Sequence, residues 1–104
     1  MSTYLTVRHG VDVGKKGRTM IEKKVEKLSR FSRHIVAKHV IVEKDGSGLL
    51  LELNVTVSRK IFTAKARAFD LVDAIEDAVD KMGRQLRRYE DRTRTKKKDT
   101  GTGG

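Results

Sequence analysis

Two sets of basic side chains recur along the chain at helical spacing. Lys81, Arg84, Arg88 and Arg92 are separated by three, four and four residues, which places them within roughly 80° of one another on an α-helix. Lys23, Lys24, Lys27 and Arg30 form a similar group earlier in the chain. Ammonium points and guanidinium forks suit phosphate oxygens, so the chemistry on offer is recognition of a polyanion by its backbone and shape. A solvated helix face is the plainer reading of either group alone. Part of the charge is matched locally, by Glu22 and Glu26 in the first group and by Asp77 with Lys81 and Asp80 with Arg84 in the second. Two ridges beside one seam between helices favour the polyanion.

Residues for a reaction are missing. His9, His34 and His39 lack metal-ligand spacing, and the chain has no cysteine to complete a zinc site. Asp73, Asp77 and Asp80 share a helical side and suggest magnesium, but dipole and i,i+4 pairing roles explain them. Gly14-Lys15-Lys16-Gly17 lacks the glycine spacing and the Lys-Ser/Thr of a phosphate-binding loop. No enzyme, cofactor, metal or small-molecule substrate is expected. The aromatic residues are Tyr4, Phe31, Phe62, Phe69 and Tyr89. Most are expected in the core, which argues against a base-stacking, single-strand binder.

The bulk properties agree. A chain of 104 residues holds one domain with a modest core. Its 24 Lys+Arg against 14 Asp+Glu leave a formal charge of +10, which implies a polyanionic partner, nucleic acid first. An anionic membrane surface is second, and it requires bulky apolar residues free to insert, whereas those here are committed to a core. No apolar run approaches the ~18 residues of a membrane span, and no charged-then-apolar signal pattern opens the chain. A soluble, cytoplasmic protein without a membrane partner is expected.

The elements that must present the basic groups follow from periodicity. Thr3 to Arg8 alternates Leu5 and Val7 with polar residues, as a half-buried strand does. A helix from about Lys16 to Ser32 has an inner stripe of Ile21, Val25, Leu28 and Phe31 or Ser32. Ile35 to Lys44 reads as a strand with Val36, Val40 and Val42 on one face, and Asp45-Gly46-Ser47-Gly48 as a hairpin turn. Leu49 to Ser58 points Leu49, Leu51, Leu53, Val55 and Val57 inward; after a turn at Arg59-Lys60, Ile61 to Ala68 does the same with Phe62 and three alanines. Asp70 then stands as N-cap to a second helix with a stripe of Leu71, Ile75, Ala78, Val79, Met82, Leu86 and Tyr89, and Phe69 to Lys98 reads as one long helix. Its carboxylates come first and its basic residues last. The helix dipole is worth only about 0.3–1 kcal/mol per charge and fades within a turn, so it does not account for so long a basic run. Apolar anchors stop before Arg92, so residues 1–95 are expected to form the domain and 96–104 a flexible basic, Gly-rich tail. The order β-α-β-β-β-α implies an α+β fold, with two roughly parallel helices on one face of a four-stranded mixed sheet.

The string DLVDAIEDAVDKMGRQLRRYEDR, Asp70 to Arg92, resembles the second helix of the bacterial ribosome hibernation-promoting factor family, also called ribosome-associated inhibitor or sigma-modulation proteins. Asp70, Leu71, Ala74, Ile75, Asp80, Lys81, Arg84, Gln85, Leu86 and Arg88 carry the match, and EKKVEKLSRF, Glu22 to Phe31, is similar to the family's first helix. Val72, where the family often has Tyr, and Gly83, inside the helix, depart from the pattern. The resemblance implies a domain shaped like a double-stranded RNA-binding domain that sits on the small ribosomal subunit, in the messenger and transfer RNA channel, and blocks translation by occupancy. It implies Lys23, Lys24, Lys27, Arg30, Lys81, Arg84, Arg88 and Arg92 as contacts to ribosomal RNA. The long family form carries a further dimerisation domain; this chain resembles the short form, and a monomer off the ribosome is expected. An RNA-binding or RNA-chaperone domain without ribosomal preference is the alternative.

Overall fold

A computed structural model describes the backbone of residues 2–8 and 11–103, and the side chains of residues 3–8 and 11–92. His9 therefore lies outside the described residues. The elements are β1 (Ser2–Val7), α1 (Gly14–Glu26), which tightens into a 3-10 turn at Lys27–Arg30, β2 (Ile35–Asp45), β3 (Gly48–Val57), β4 (Lys60–Ala68) and α2 (Leu71–Gly103). The sheet runs β1-β2-β3-β4 in space. β1 pairs with β2 in parallel, and the other two pairs are antiparallel. This is the α+β order that the alternation and turn residues predict.

One face of the sheet is covered. Alternate residues Leu51, Leu53, Val55 and Val57 of β3 meet Ile21, Val25 and Leu28 of the first helical stretch and Ala74, Ile75, Ala78, Met82 and Leu86 of α2 in a single core. α2 packs on β4 and β3 and also against α1. The inward alanines Ala64 and Ala66 of β4 are buried, and their small size lets α2 approach the sheet closely.

Four local readings need correction. The first helix starts at Gly14, not Lys16; Gly14 takes φ 70°, and Val13 at the N-cap makes no side-chain cap. It also ends as an α-helix at Glu26, and the following 3-10 turn is closed by Phe31 N–H donating to Leu28 O at 3.0 Å. In β2, Val36 is 58% exposed and Ile35 is buried in its stead, because the register with β3 shifts between Ile35 and Ala37. A bulge adds one residue and reverses which side chain faces inward. Lys38 keeps the inward parity of Val40 and Val42 and is 3% exposed.

The aromatic residues are less buried than expected. Tyr4 is 57% and Phe69 83% exposed, and Phe31, Phe62 and Tyr89 are half-buried. Tyr4 stands on the sheet face away from the helices, and Phe69 lies in the two-residue link between β4 and α2. Finally, the backbone of α2 is helical past residue 95, through to Gly103. No Gly or Pro stands between Gly83 and Gly101, and backbone helix hydrogen bonding requires no apolar stripe. The side chains of 93–104 lie outside the described ones.

Candidate nucleic-acid interface

α2 is placed by its start and its apolar stripe. Asp70 Oδ1 accepts the Asp73 N–H at 2.8 Å, the N-cap bond that satisfies an orphan donor of the first turn. The nearby Asp70 carboxylate, with lesser help from desolvation, holds the exposed Asp73 carboxyl above its ordinary pKa. Further along, two side chains tie α2 to the outer edge of the sheet. Lys81 Nζ donates to Lys65 O at 2.9 Å, and Gln85 Nε2 donates to Thr63 O at 2.9 Å. β4 is an edge strand, so these bonds occupy backbone acceptors that no further strand takes.

On the opposite flank of α2 a groove of about 400 Å³ separates it from α1 and the 3-10 turn. Lys24, Lys27, Arg30, Arg84 and Arg87 line it against Glu76 and Asp80. Its apolar wall is Phe31, Val79 and Gly83. Gly83 is what permits the approach: a Cβ there would stand 3.2 Å from Phe31 Cε2 and 3.3 Å from Cζ. Helix propensity alone disfavours glycine by about 1 kcal/mol, and here the missing Cβ leaves room for the Phe31 ring.

The carboxylates neutralise only part of this lining. Lys24 Nζ pairs with Glu76 at 2.7 Å across the two helices, and Arg84 pairs with Asp80 one turn earlier. Among the described residues, Lys27, Arg30 and Arg87 have no ion-pair partner. Lys24 also lines a shallower depression with Lys15, Lys16, Thr19, Met20 and Lys23. The positive surface therefore continues from the groove along the outer side of α1.

The eight expected contact residues are divided by this geometry. Lys24, Lys27, Arg30 and Arg84 meet in the groove, and Lys23 lies in the adjoining depression. Lys81 turns to the β4 side, bonded to Lys65 O and paired with Asp77 at 3.1 Å. Arg88 and Arg92, seven and eleven residues beyond Lys81, project within about 20° of its direction and are exposed. The basic ridge of α2 thus runs over its crest, and only its α1 side belongs to the groove. Arg87 completes the groove and was not among the expected contacts. Its signal was its place four residues after Gly83, on the side where the missing Cβ admits the other helix.

Several groups outside the groove are paired with one another. On the open sheet face Arg8, Lys65 and Arg67 pair with Glu43, Glu52 and Asp45 at 3.8, 3.9 and 3.1 Å. Thr6 Oγ1 lies 2.7 Å from His39 Nε2, and Thr63 Oγ1 donates to Asn54 Oδ1 at 2.6 Å. Among the described residues no three His, Asp or Glu side chains are grouped to hold a metal. No described helix is long and apolar enough to cross a membrane.

Two solved structures share this architecture. A ribosomal subunit interface protein from Coxiella burnetii superposes with a TM-score of 0.80 at 23% identity, covering 88% of this chain and 99% of that one. The Protein Y N-terminal domain from Thermus thermophilus gives 0.77 at 24% identity, covering 86% of this chain and 99% of its own. At such identities the likeness concerns the fold. The sequence itself matches a family model, described as Sigma 54 modulation protein / S30EA ribosomal protein, over residues 5–94. With the match spanning part of β1, all of α1 and of the other three strands, and most of α2, the chain belongs to the Sigma 54 modulation protein / S30EA ribosomal protein family.

Proposed function

We propose that this protein is a ribosome-binding inhibitor of translation, a hibernation factor that occupies the messenger and transfer RNA channel of the small subunit. The observation that carries this reading is the convergence in one groove between two helices of Lys27, Arg30 and Arg87, which have no ion-pair partner among the described residues. Cations held by a rigid helix pair, without carboxylate partners, gain by meeting phosphates and releasing their counterions. The family supports a ribosomal partner: its description names a ribosomal protein, and the Coxiella burnetii relative is a ribosomal subunit interface protein. Ribosomal RNA is the partner on this reading, the protein is a cytoplasmic monomer when free, and no catalysis is involved.

The exposed Tyr4 and Phe69 favour a second reading, an RNA-binding or RNA-chaperone domain that stacks on bases without ribosomal preference. Sedimentation through sucrose separates the two. At low salt the protein should travel with the small subunit and with whole ribosomes, and leave them at high salt. A protein that stays at the top of the low-salt gradient, while still binding free RNA, is the second kind.

A further inference from the structure

The groove is not a purely electrostatic surface. Below its basic rim lies an apolar wall made by Phe31 and Val79, which meets Gly83 at the base. Phe31 is only half-buried, and its backbone N–H donates to Leu28 O at the end of the 3-10 turn. One edge of the ring rests over Gly83. A phosphate ladder alone has no use for such a wall. Its volume, about 400 Å³, is that of a small-ligand site rather than of a helix-wide trough.

We propose that this groove receives one unstacked nucleotide of the bound RNA. The base lies against Phe31 and Val79, and its flanking phosphates meet Lys27, Arg30 and Arg87. The inference rests on the reading of the helix pair as an RNA-binding surface, and it adds that the surface selects RNA with a base outside the helix. Charge complementarity fixes the sign of the occupant: five basic side chains face two carboxylates, and both carboxylates already have a partner. An aromatic wall beside arginines is how proteins hold unstacked bases. A free mononucleotide carries the same groups but lacks the second phosphate that the spread of cations along both helices can engage.

The test uses the intact chain and three RNA hairpins of one sequence: fully paired, with a single bulged adenosine, and with an abasic residue in that bulge. The bulged-adenosine hairpin should bind at least about 10-fold more tightly than the abasic one, the span expected for one base on an aromatic side chain. Phe31→Leu keeps an apolar side chain at the wall but removes the ring, and should erase that difference. Val79→Asn, at the other side of the wall, should reduce the preference without touching Phe31. Equal binding of the adenosine and abasic hairpins by the unaltered protein would overturn the nucleotide proposal and leave the phosphate surface standing. Failure to bind any hairpin would overturn the nucleotide proposal, and would remove the phosphate surface with it only where binding to small ribosomal subunits is lost as well. Adenosine monophosphate competing as well as the bulged hairpin would show a free-nucleotide pocket instead, and would overturn the assignment to RNA.

Discussion

Gly83 lies beneath the Phe31 ring, so close that a Cβ would come within 3.2 Å of it. This approach sets the spacing between α2 and the end of the first helical stretch, and so the width of the groove that Lys27, Arg30 and Arg87 line. Gly83→Ala gains about 1 kcal/mol of helix propensity but must displace an aromatic ring by a few tenths of an ångström, and the two effects should nearly cancel. Gly83→Leu has no such room and should cost about 1–3 kcal/mol through overpacking, read as a lower urea midpoint.

Lys81 and Arg87 should respond oppositely to removal of their charge. Lys81 bonds Lys65 O and pairs with Asp77, so Lys81→Met should lose about 0.5–1 kcal/mol of stability. Arg87→Met breaks no ion pair among the described residues and should leave stability within about 0.5 kcal/mol. Its effect should fall on RNA affinity. Chemical denaturation and filter binding on the two variants check both halves.

Burial holds the Lys38 ammonium below the ordinary lysine pKa, with Glu26 pulling the other way. An unfolded lysine keeps its proton to about pH 10.4, while the folded one releases it earlier. Between those two values the unfolded chain binds more protons, so stability rises with pH; below them the cost of burying the charge is present in full. Lys38→Met should therefore stabilise the fold at pH 7 by about 1 kcal/mol, and the gain should shrink as pH approaches 10. Urea titrations of both forms across that range measure it.

Asp70 caps the helix that carries half of the surface. Asp70→Ala leaves the Asp73 N–H without its 2.8 Å acceptor and should cost about 1 kcal/mol. Asp70→Asn retains an acceptor and should cost less. It also removes the charge that raises the Asp73 pKa, so a carboxylate titration followed by NMR should show Asp73 moving down towards its ordinary value.

Much of the fold is readable from the residues, and what is not has definite causes. The strands β3 and β4 are legible because alternation is strict and one face is buried, so a one-residue slip would expose every leucine. Val36 is misplaced by periodicity because a bulge leaves no mark in it. The helix stripes are legible for the same reason as the strands, and the cap at Asp70 because its side chain has one local acceptor role. The site is only half legible. Helical angle places Lys81 with Arg84, yet it is blind to the carbonyls of a strand edge 16 residues away in the chain, which turn Lys81 aside. Gly83 reads as a weak point in a helix until Phe31, from another element, is laid over it. Packing between distant segments decides which cations remain free.

The most direct test is the salt dependence of binding to purified small ribosomal subunits, for the natural chain and for Lys27→Glu/Arg30→Glu/Arg87→Glu. For each phosphate that the variant no longer neutralises, the slope of log K against log salt should fall by about 0.7–1. The triple variant should therefore bind weakly, with a slope lower by about 2–3 and an unchanged circular dichroism spectrum. Equal affinity and equal slope in a natively folded triple variant would contradict the groove as the ribosome-binding surface.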